Sequence, residues 1–187
     1  MRTLFCLFSL FLSGAAAADA PGRFTKQGCF TVATPAGWAA SLPSSALSEK
    51  ERKIYGVEFT GPSAAAGAPK ITVNYYAPGN KLHKTPQRYI KLHSKPPFGV
   101  NADKKEYGPV TNGLAGNYHA KVFDRKVFEY VPAGSMDAAK VAVYERFAVV
   151  PVKQGFYVLR YTVPEALAKE HLKAYEASLA SFKPLIK

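Results

Sequence analysis

The stretch from Lys140 to Phe182 constrains the fold more than any other part of the chain. Residues 140–150 and 156–163 are dense in β-branched and aromatic side chains, which predicts two strands. The link of residues 151–155 is so short that the two strands must run antiparallel. Apolar side chains fall on both faces of the first strand. We therefore expect that strand to lie at the centre of a sheet that is covered on both sides.

An amphipathic helix is predicted directly after the second strand. Thr162 and Glu165 have the spacing of a capping box, so we expect the helix to begin near Pro164 and to end before Pro184. Apolar side chains recur along this segment at alternating intervals of four and three residues, at Ala168, Leu172, Tyr175, Leu179 and Phe182. This apolar stripe predicts that the helix packs across the sheet.

Five further segments have the composition or the alternation of strands. They are residues 29–33, 54–60, 70–77, a strand near 106–111, and 118–131. In the last segment the alternation breaks at Asp124, Arg125 and Lys126, which predicts a β-bulge or a bend before Val127. Residues 48–52 fit either one helical turn or a charged loop.

A second helix is predicted over residues 85–93. Thr85 has the position of an N-cap and Pro86 fits the first helical position, where its missing N–H costs no hydrogen bond. Tyr89 and Leu92 are expected to face the core. The predicted fold class is therefore α+β, with an antiparallel sheet and two helices.

The first residues have the order of a secretory signal peptide. Arg2 is followed by an apolar run over residues 4–12 and by small residues up to Ala18, after which we expect cleavage. Residues 19–28 are expected to be mobile, and residues 29–187 to form one domain. No later segment is long and apolar enough to span a bilayer. The sequence thus predicts an exported protein, periplasmic or extracellular.

The chain is strongly basic, and its basic residues are concentrated in one stretch. The formal net charge is +12, and it falls to +11 without residues 1–18, which predicts affinity for polyanions. Export argues against nucleic acid as the partner. Between residues 81 and 105 the only acid is Asp103, and the bases are Lys81, Lys84, Arg88, Lys91, Lys95, Lys104 and Lys105. This stretch is either a solvated surface or a docking surface for an acidic protein or an anionic envelope surface.

A small-ligand site is the alternative function. Aromatic residues make up 13% of the chain, and Tyr75, Tyr76, Tyr89 and Tyr118 are candidates for lining a cleft. Such rings also occur at the rim of an ordinary core. A deep pocket on which several of these rings converge would favour ligand binding, whereas a filled core would favour docking.

No motif in the chain predicts catalysis or a cofactor. Of the four histidines, His83 and His93 could converge in space with Asp103, but no pair has the spacing of metal ligands and we predict no metal site. Cys29 is the one cysteine after the signal peptide. It is either a small buried side chain or a thiol that forms an intermolecular disulfide or reacts. We expect a monomer that is not an enzyme.

Several short stretches together resemble the PsbP-like family, which is named for an extrinsic subunit of photosystem II. They are Phe30–Trp38 (FTVATPAGW), Thr85–Ile90 (TPQRYI), Gly155–Leu159 (GFYVL) and Leu179–Phe182 (LASF). The resemblance covers most of the chain after residue 18. It implies an antiparallel sheet with helices on both faces, and a docking or accessory role rather than an enzyme. Nothing resembles a manganese or calcium ligand set, so photosynthesis is not inferred.

Overall fold

One large antiparallel sheet carries the fold in the computed structural model, which describes residues 22–64, 67–97, 106–131, 134, 136–137 and 139–186. Within these residues seven strands pair in the order β3-β4-β5-β9-β8-β7-β6. Their ranges are β3 Ala39–Ser41, β4 Ile54–Thr60, β5 Lys70–Tyr76, β6 Thr111–Ala115, β7 Tyr118–Val131, β8 Ala139–Pro151 and β9 Phe156–Pro164. The predicted signal peptide lies outside the described residues.

The predicted hairpin of β8 and β9 is confirmed. The two strands pair antiparallel from Val143 opposite Pro164 to Pro151 opposite Phe156, at the centre of the sheet. The bulge predicted near Asp124 is wrong, because β7 pairs with β8 residue for residue from Lys121 to Val131. The apolar pattern breaks there because the charged side chains have partners on both faces of the sheet.

A second, three-stranded sheet was not predicted. It consists of β1 (Arg23–Lys26), β2 (Phe30–Ala33) and β10 (Lys183–Pro184), with β2 in the middle. We expected residues 19–28 to be mobile, but Arg23–Lys26 pair with β2 along their whole length. The strand predicted near residues 106–111 is also displaced. The chain there makes one bridge, between Tyr107 and Arg125, and β6 begins at Thr111.

The last helix, α3 (Ala168–Ser181), begins later than predicted. The prediction of a capping box at Thr162 and Glu165 is wrong, because β9 continues to Pro164. The Thr162 hydroxyl instead accepts a hydrogen bond from Arg160 Nε. A 3₁₀ turn over Glu165–Leu167 then leads into α3, with no side-chain cap. Pairing with the neighbouring strand thus outweighs a cap that contributes about 1 kcal/mol.

Burial of the predicted stripe holds α3 against the sheet. Tyr175 and Phe182 are buried, and Leu172 and Leu179 are half-buried against the same core. This core also includes β2 and the side chains of the large sheet that point toward α3, and we call that side of the sheet the α3 face. Capping occurs instead at α1 (Glu49–Arg52), where Ser48 and Glu51 form a capping box.

The helix α2 (Pro86–His93) covers part of the opposite side of the sheet, which we call the α2 face. Thr85 is its N-cap and Pro86 its first residue, as predicted. Tyr89 is 3% exposed and packs in a second core with Phe147 and Phe156. The prediction that Leu92 faces inward is wrong, since it is 58% exposed. The sheet therefore has a helix on each face, which is the α+β architecture that the resemblance implied.

Candidate functional site

Five of the seven predicted basic residues lie together on α2 and the segments beside it. All five are exposed, and they are Lys81, Lys84, Arg88, Lys91 and Lys95. Lys104 and Lys105 lie outside the described residues. We call the five residues the basic cluster.

Local hydrogen bonds and packing position the helix of the basic cluster. The Thr85 hydroxyl accepts a hydrogen bond from the Arg88 N–H (3.2 Å), and the Ser94 N–H donates to the Ile90 carbonyl oxygen (2.8 Å). Burial of Tyr89 directs one side of α2 into the core. Because residues three and four apart share a side of a helix, Arg88 and Lys91 are left on the solvent side.

Asn80 holds the loop that carries the first two members of the cluster. It is buried, and its amide nitrogen donates to the carbonyl oxygens of Ala77 (3.0 Å) and His83 (2.6 Å). Its Oδ1 accepts from the N–H groups of Leu82 (3.2 Å) and His83 (2.7 Å). Sequence reasoning missed this residue, although an asparagine beside Gly79 in a loop is typical of such side-chain turns.

The charges of the basic cluster are little neutralised by the described part of the chain: among the described residues only Lys81 acts on an acid, Glu51, whose pKa is lowered first by its hydrogen bonds with Ser48 and then by the Lys81 charge. None of the five side chains forms an ion pair with another described residue. Lys121, at the start of β7, adds a sixth exposed cation beside Lys91 and Lys95. Its ammonium donates to Asn112 Oδ1 (2.6 Å). The surface is therefore able to attract anions.

Two shallow grooves run along α2 among these cations. One, of about 320 Å³, lies between α2 and the loop before β6, and the other, of about 430 Å³, lies beside Leu92 and Pro96. Lys91 and Lys95 line both grooves, and none of the described residues that line either groove is an acid. A cleft of about 440 Å³ on the α2 face is different, since two acids and two bases line it and give it no net sign.

The four tyrosines of the alternative site are not brought together. Tyr75 and Tyr76 are neighbours in β5 and point to opposite faces of the sheet, as their separate cores show. Tyr89 joins Tyr76 on the α2 face, with ring centroids 5.6 Å apart, and both are buried. Tyr118 is half-buried at the edge of the same core as Tyr75, beside Phe182. The prediction of a cleft lined by all four tyrosines is therefore wrong, because strand alternation places the Tyr75 and Tyr76 rings on opposite faces of the sheet.

His83 and His93 do converge, inside an aromatic cluster. Their ring centroids are 5.8 Å apart, and both rings contact Tyr89. His83 Nδ1 and both ring nitrogens of His93 are buried without a hydrogen-bond partner. Burial, with the nearby charge of Arg125, lowers the pKa of His93 to about 3. Burial also lowers the pKa of His83. Both rings are thus neutral near pH 7.

The metal site considered for these histidines stays incomplete in the described part of the chain. Asp103 lies outside the described residues. Within them, no group of three or more histidine, cysteine or acidic side chains is close enough to hold a metal ion.

A buried ion cluster beneath the α2 face was not predicted. Glu145 is 1% exposed, and it pairs with Arg125 Nε (2.5 Å) and Arg160 Nη2 (2.5 Å). Both guanidinium groups also lie over the Phe147 ring. The only sequence signal was an acid among apolar residues of a central strand. A carboxylate at this depth needs such partners, because removing them would leave an uncompensated buried charge.

Cys29 is a buried side chain. Burial raises the pKa of its thiol, which disfavours the reactive thiolate form. Its carbonyl oxygen accepts a hydrogen bond from the Tyr157 hydroxyl (2.7 Å). The structure therefore favours the interpretation of Cys29 as a small core residue.

Comparison with known proteins gives similarity in fold. No family model matches the chain, and no curated protein matches it. Among solved structures, a Bacteroides thetaiotaomicron protein has a TM-score of 0.48 and 13% identity over 87% of this chain, which spans only 47% of that protein. LpqN of Mycobacterium tuberculosis, described as involved in cell envelope biogenesis, has a TM-score of 0.44 and 14% identity, covering 89% of this chain and 86% of its own.

A third solved structure is cyanobacterial PsbP from Synechocystis. It has a TM-score of 0.46 and 12% identity, and the match covers 95% of this chain and 98% of the cyanobacterial protein. That protein bears the name of the family that the sequence resembles. Within the described ranges, no helix combines the length and the apolar character needed to cross a bilayer.

Proposed function

We propose that this chain is an exported, non-enzymatic accessory protein that docks onto an anionic surface of the cell envelope through the basic cluster. One observation carries the proposal. Five exposed cations, none of them in an ion pair with a described residue, stand on one short helix and the segments beside it, and only Lys81 acts on a described acid, Glu51. Unpaired cations of this kind attract a polyanion at long range, and export makes the envelope the polyanion within reach.

The support beneath the cluster favours binding. Asn80 fixes the loop and Tyr89 fixes the helix, so the backbone beneath the cations needs little further ordering when a partner binds. Each basic residue near an anionic membrane contributes roughly 1 kcal/mol, and the cluster as a whole roughly 5 kcal/mol at low salt. Salt screens this attraction, because the side chains are exposed.

The apolar grooves favour a lipid surface over an acidic protein. Leu92 and Val110 are exposed among the cations, at 58% and 42%. A partner surface that presented charge alone would leave these side chains in water. A lipid interface accepts both, since headgroups meet the amines and the acyl region meets the apolar side chains.

Two further features support a role without catalysis. Glu145 is paired with two arginines and buried, so it has no free proton-transfer partner at the surface. The ring nitrogens of His93 are buried within the aromatic cluster. These two buried groups thus face other protein groups rather than a cleft.

Vesicle sedimentation tests the proposal. The chain from residue 19 should bind phosphatidylglycerol vesicles at low salt, should not bind phosphatidylcholine vesicles, and should dissociate as salt is raised. The double variant Arg88→Glu and Lys91→Glu reverses two charges of the cluster, and it should bind at least about tenfold more weakly.

A matched control is the double variant Lys169→Glu and Lys173→Glu on α3, which changes the net charge equally at two other exposed positions. Equal binding by the cluster variant and this control would refute docking through the cluster. A different result would identify an acidic protein as the partner. In that case the wild type would not bind phosphatidylglycerol vesicles and would bind a purified acidic protein in a charge-dependent way.

A further inference from the structure

The groove between α2 and the loop before β6 has an unusual chemical composition. Ile90 and Val110 form its floor, and nearly all of its lining surface is apolar. Three amines stand at its rim, from Lys91, Lys95 and Lys121. The other lining residues among those that the structure describes are Gln87 and Ser94, and no acid occurs among them.

The combination of an apolar floor and an amine rim restricts the ligand. A polyanion without an apolar part would use the three amines and leave the floor in contact with water. An uncharged apolar molecule would fill the groove and leave the amines without a counter-ion. A ligand with one acyl chain and one anionic head satisfies both parts, because its chain covers the apolar floor while its head meets the amines.

We propose that this groove binds a single-chain anionic amphiphile, with the acyl chain over Ile90 and Val110 and the carboxylate or phosphate head at Lys91, Lys95 and Lys121. The inference rests on the proposed function, since it names the ligand class of the same surface. It goes further in one respect: the protein holds one lipid molecule in a defined groove, in addition to charge-driven contact with a bilayer.

The walls of the groove are held in place before any ligand binds. Ile90 is half-buried and packs against the core of the α2 face. Ser94 is buried and ends the helix through its N–H bond to the Ile90 carbonyl oxygen. Lys121 stands opposite, on a strand, with its ammonium bonded to Asn112. The volume of about 320 Å³ lies at the lower end of the range for small-molecule sites.

Titration calorimetry with a monomeric amphiphile tests the groove. The probe is lauroyl lysophosphatidylglycerol below its critical micelle concentration, with lauroyl lysophosphatidylcholine and glycerol phosphate as comparisons. We expect binding of the first probe alone. Shortening its chain from lauroyl to octanoyl should weaken binding by at least about tenfold, because each fully buried methylene changes affinity roughly fourfold.

Two variants separate the floor from the rim. Val110→Asn places an amide at an exposed position of the floor and should weaken binding of the monomeric probe by about tenfold, whereas Leu114→Asn, at an exposed position outside the groove, should not. Lys95→Glu should also weaken it, and Lys169→Glu on α3 should not. Thermal unfolding of each variant checks that the fold is retained.

The outcomes distinguish this inference from the docking proposal. Equal affinity of the wild type and Val110→Asn for the monomeric probe would overturn the groove, as would equal binding of the two lauroyl probes. Binding to phosphatidylglycerol vesicles without binding to the monomeric probe would also overturn the groove and leave charge-driven docking standing. Equal vesicle binding by the cluster variant and the α3 control variant would instead refute the docking proposal.

Discussion

Lowering the pH should reduce the free energy of unfolding of this protein because His93 is buried in its neutral form. The substitution His93→Phe should remove this part of the pH dependence. Three groups that are basic or cationic face the His93 ring: His83 from the loop before α2, Arg125 from β7 and Arg160 from β9. Neither ring nitrogen has a hydrogen-bond partner. A proton on His93 would therefore place a buried cation beside two guanidinium groups.

The direction and size of the effect follow from the pKa of His93. The folded state holds this pKa at about 3, below the value of 6.5 for the free side chain, so the unfolded chain takes up the proton first as pH falls. The stability contributed by neutral His93 is complete above about pH 6.5 and is lost progressively toward about pH 3. At 1.36 kcal/mol for each pKa unit, the loss amounts to about 3 kcal/mol at about pH 4 and has an upper limit of about 5 kcal/mol.

Urea unfolding of the wild type and His93→Phe across this pH range measures the loss. Phe retains the ring contacts with Tyr89, at 4.3 Å between centroids, and with Phe147, at 5.5 Å. The stability difference between the variant and the wild type should grow by about 3 kcal/mol from about pH 7 to about pH 4. His119→Phe, at an exposed histidine, should show no such growth. A difference for His93→Phe that stays constant with pH would refute the argument.

Three further predictions concern stability, measured by urea unfolding. Glu145→Gln should cost about 3–5 kcal/mol because it leaves two arginines beside a neutral amide, whereas Glu129→Gln at an exposed position should change stability by less than about 0.5 kcal/mol; equal effects would contradict the ion cluster. Gly155→Ala should destabilise more than Gly28→Ala, since both have positive φ but only at Gly155 would the new Cβ lie 2.1 Å from a backbone oxygen of β5; the reverse order would disprove this packing. Tyr175→Ala should cost about 3–5 kcal/mol through a cavity beneath α3, and a cost below about 1 kcal/mol would show that α3 is not held by that ring.

Local patterns predicted the central hairpin and the start of α2. The short link between β8 and β9 allows only antiparallel pairing, and Thr85 with Pro86 makes a helix start that depends on adjacent residues. The exposure of Arg88 and Lys91 in the basic cluster followed from their position on α2, where Tyr89 faces the core. Each of these features is decided within about ten residues of chain.

Predictions failed where distant parts of the chain compete with local preference. The start of α3 moved because Pro164 pairs with Val143 in β8, and the cap at Thr162 cannot form while that pairing persists. The tyrosine cleft failed because a one-residue step along a strand reverses the direction of a side chain, so that Tyr75 and Tyr76 enter different cores.

The amino-acid sequence by itself determined the strands of the central hairpin, the apolar stripe of α3 and the basic face of α2, because periodicity, caps and short links act between near neighbours. Only the tertiary structure decided that β10 closes a second sheet on β2, at the other end of the chain, and that Val110 and Lys121 meet α2 to form a groove. These contacts depend on closing long loops, and their cost is repaid only when all the packed partners are present together.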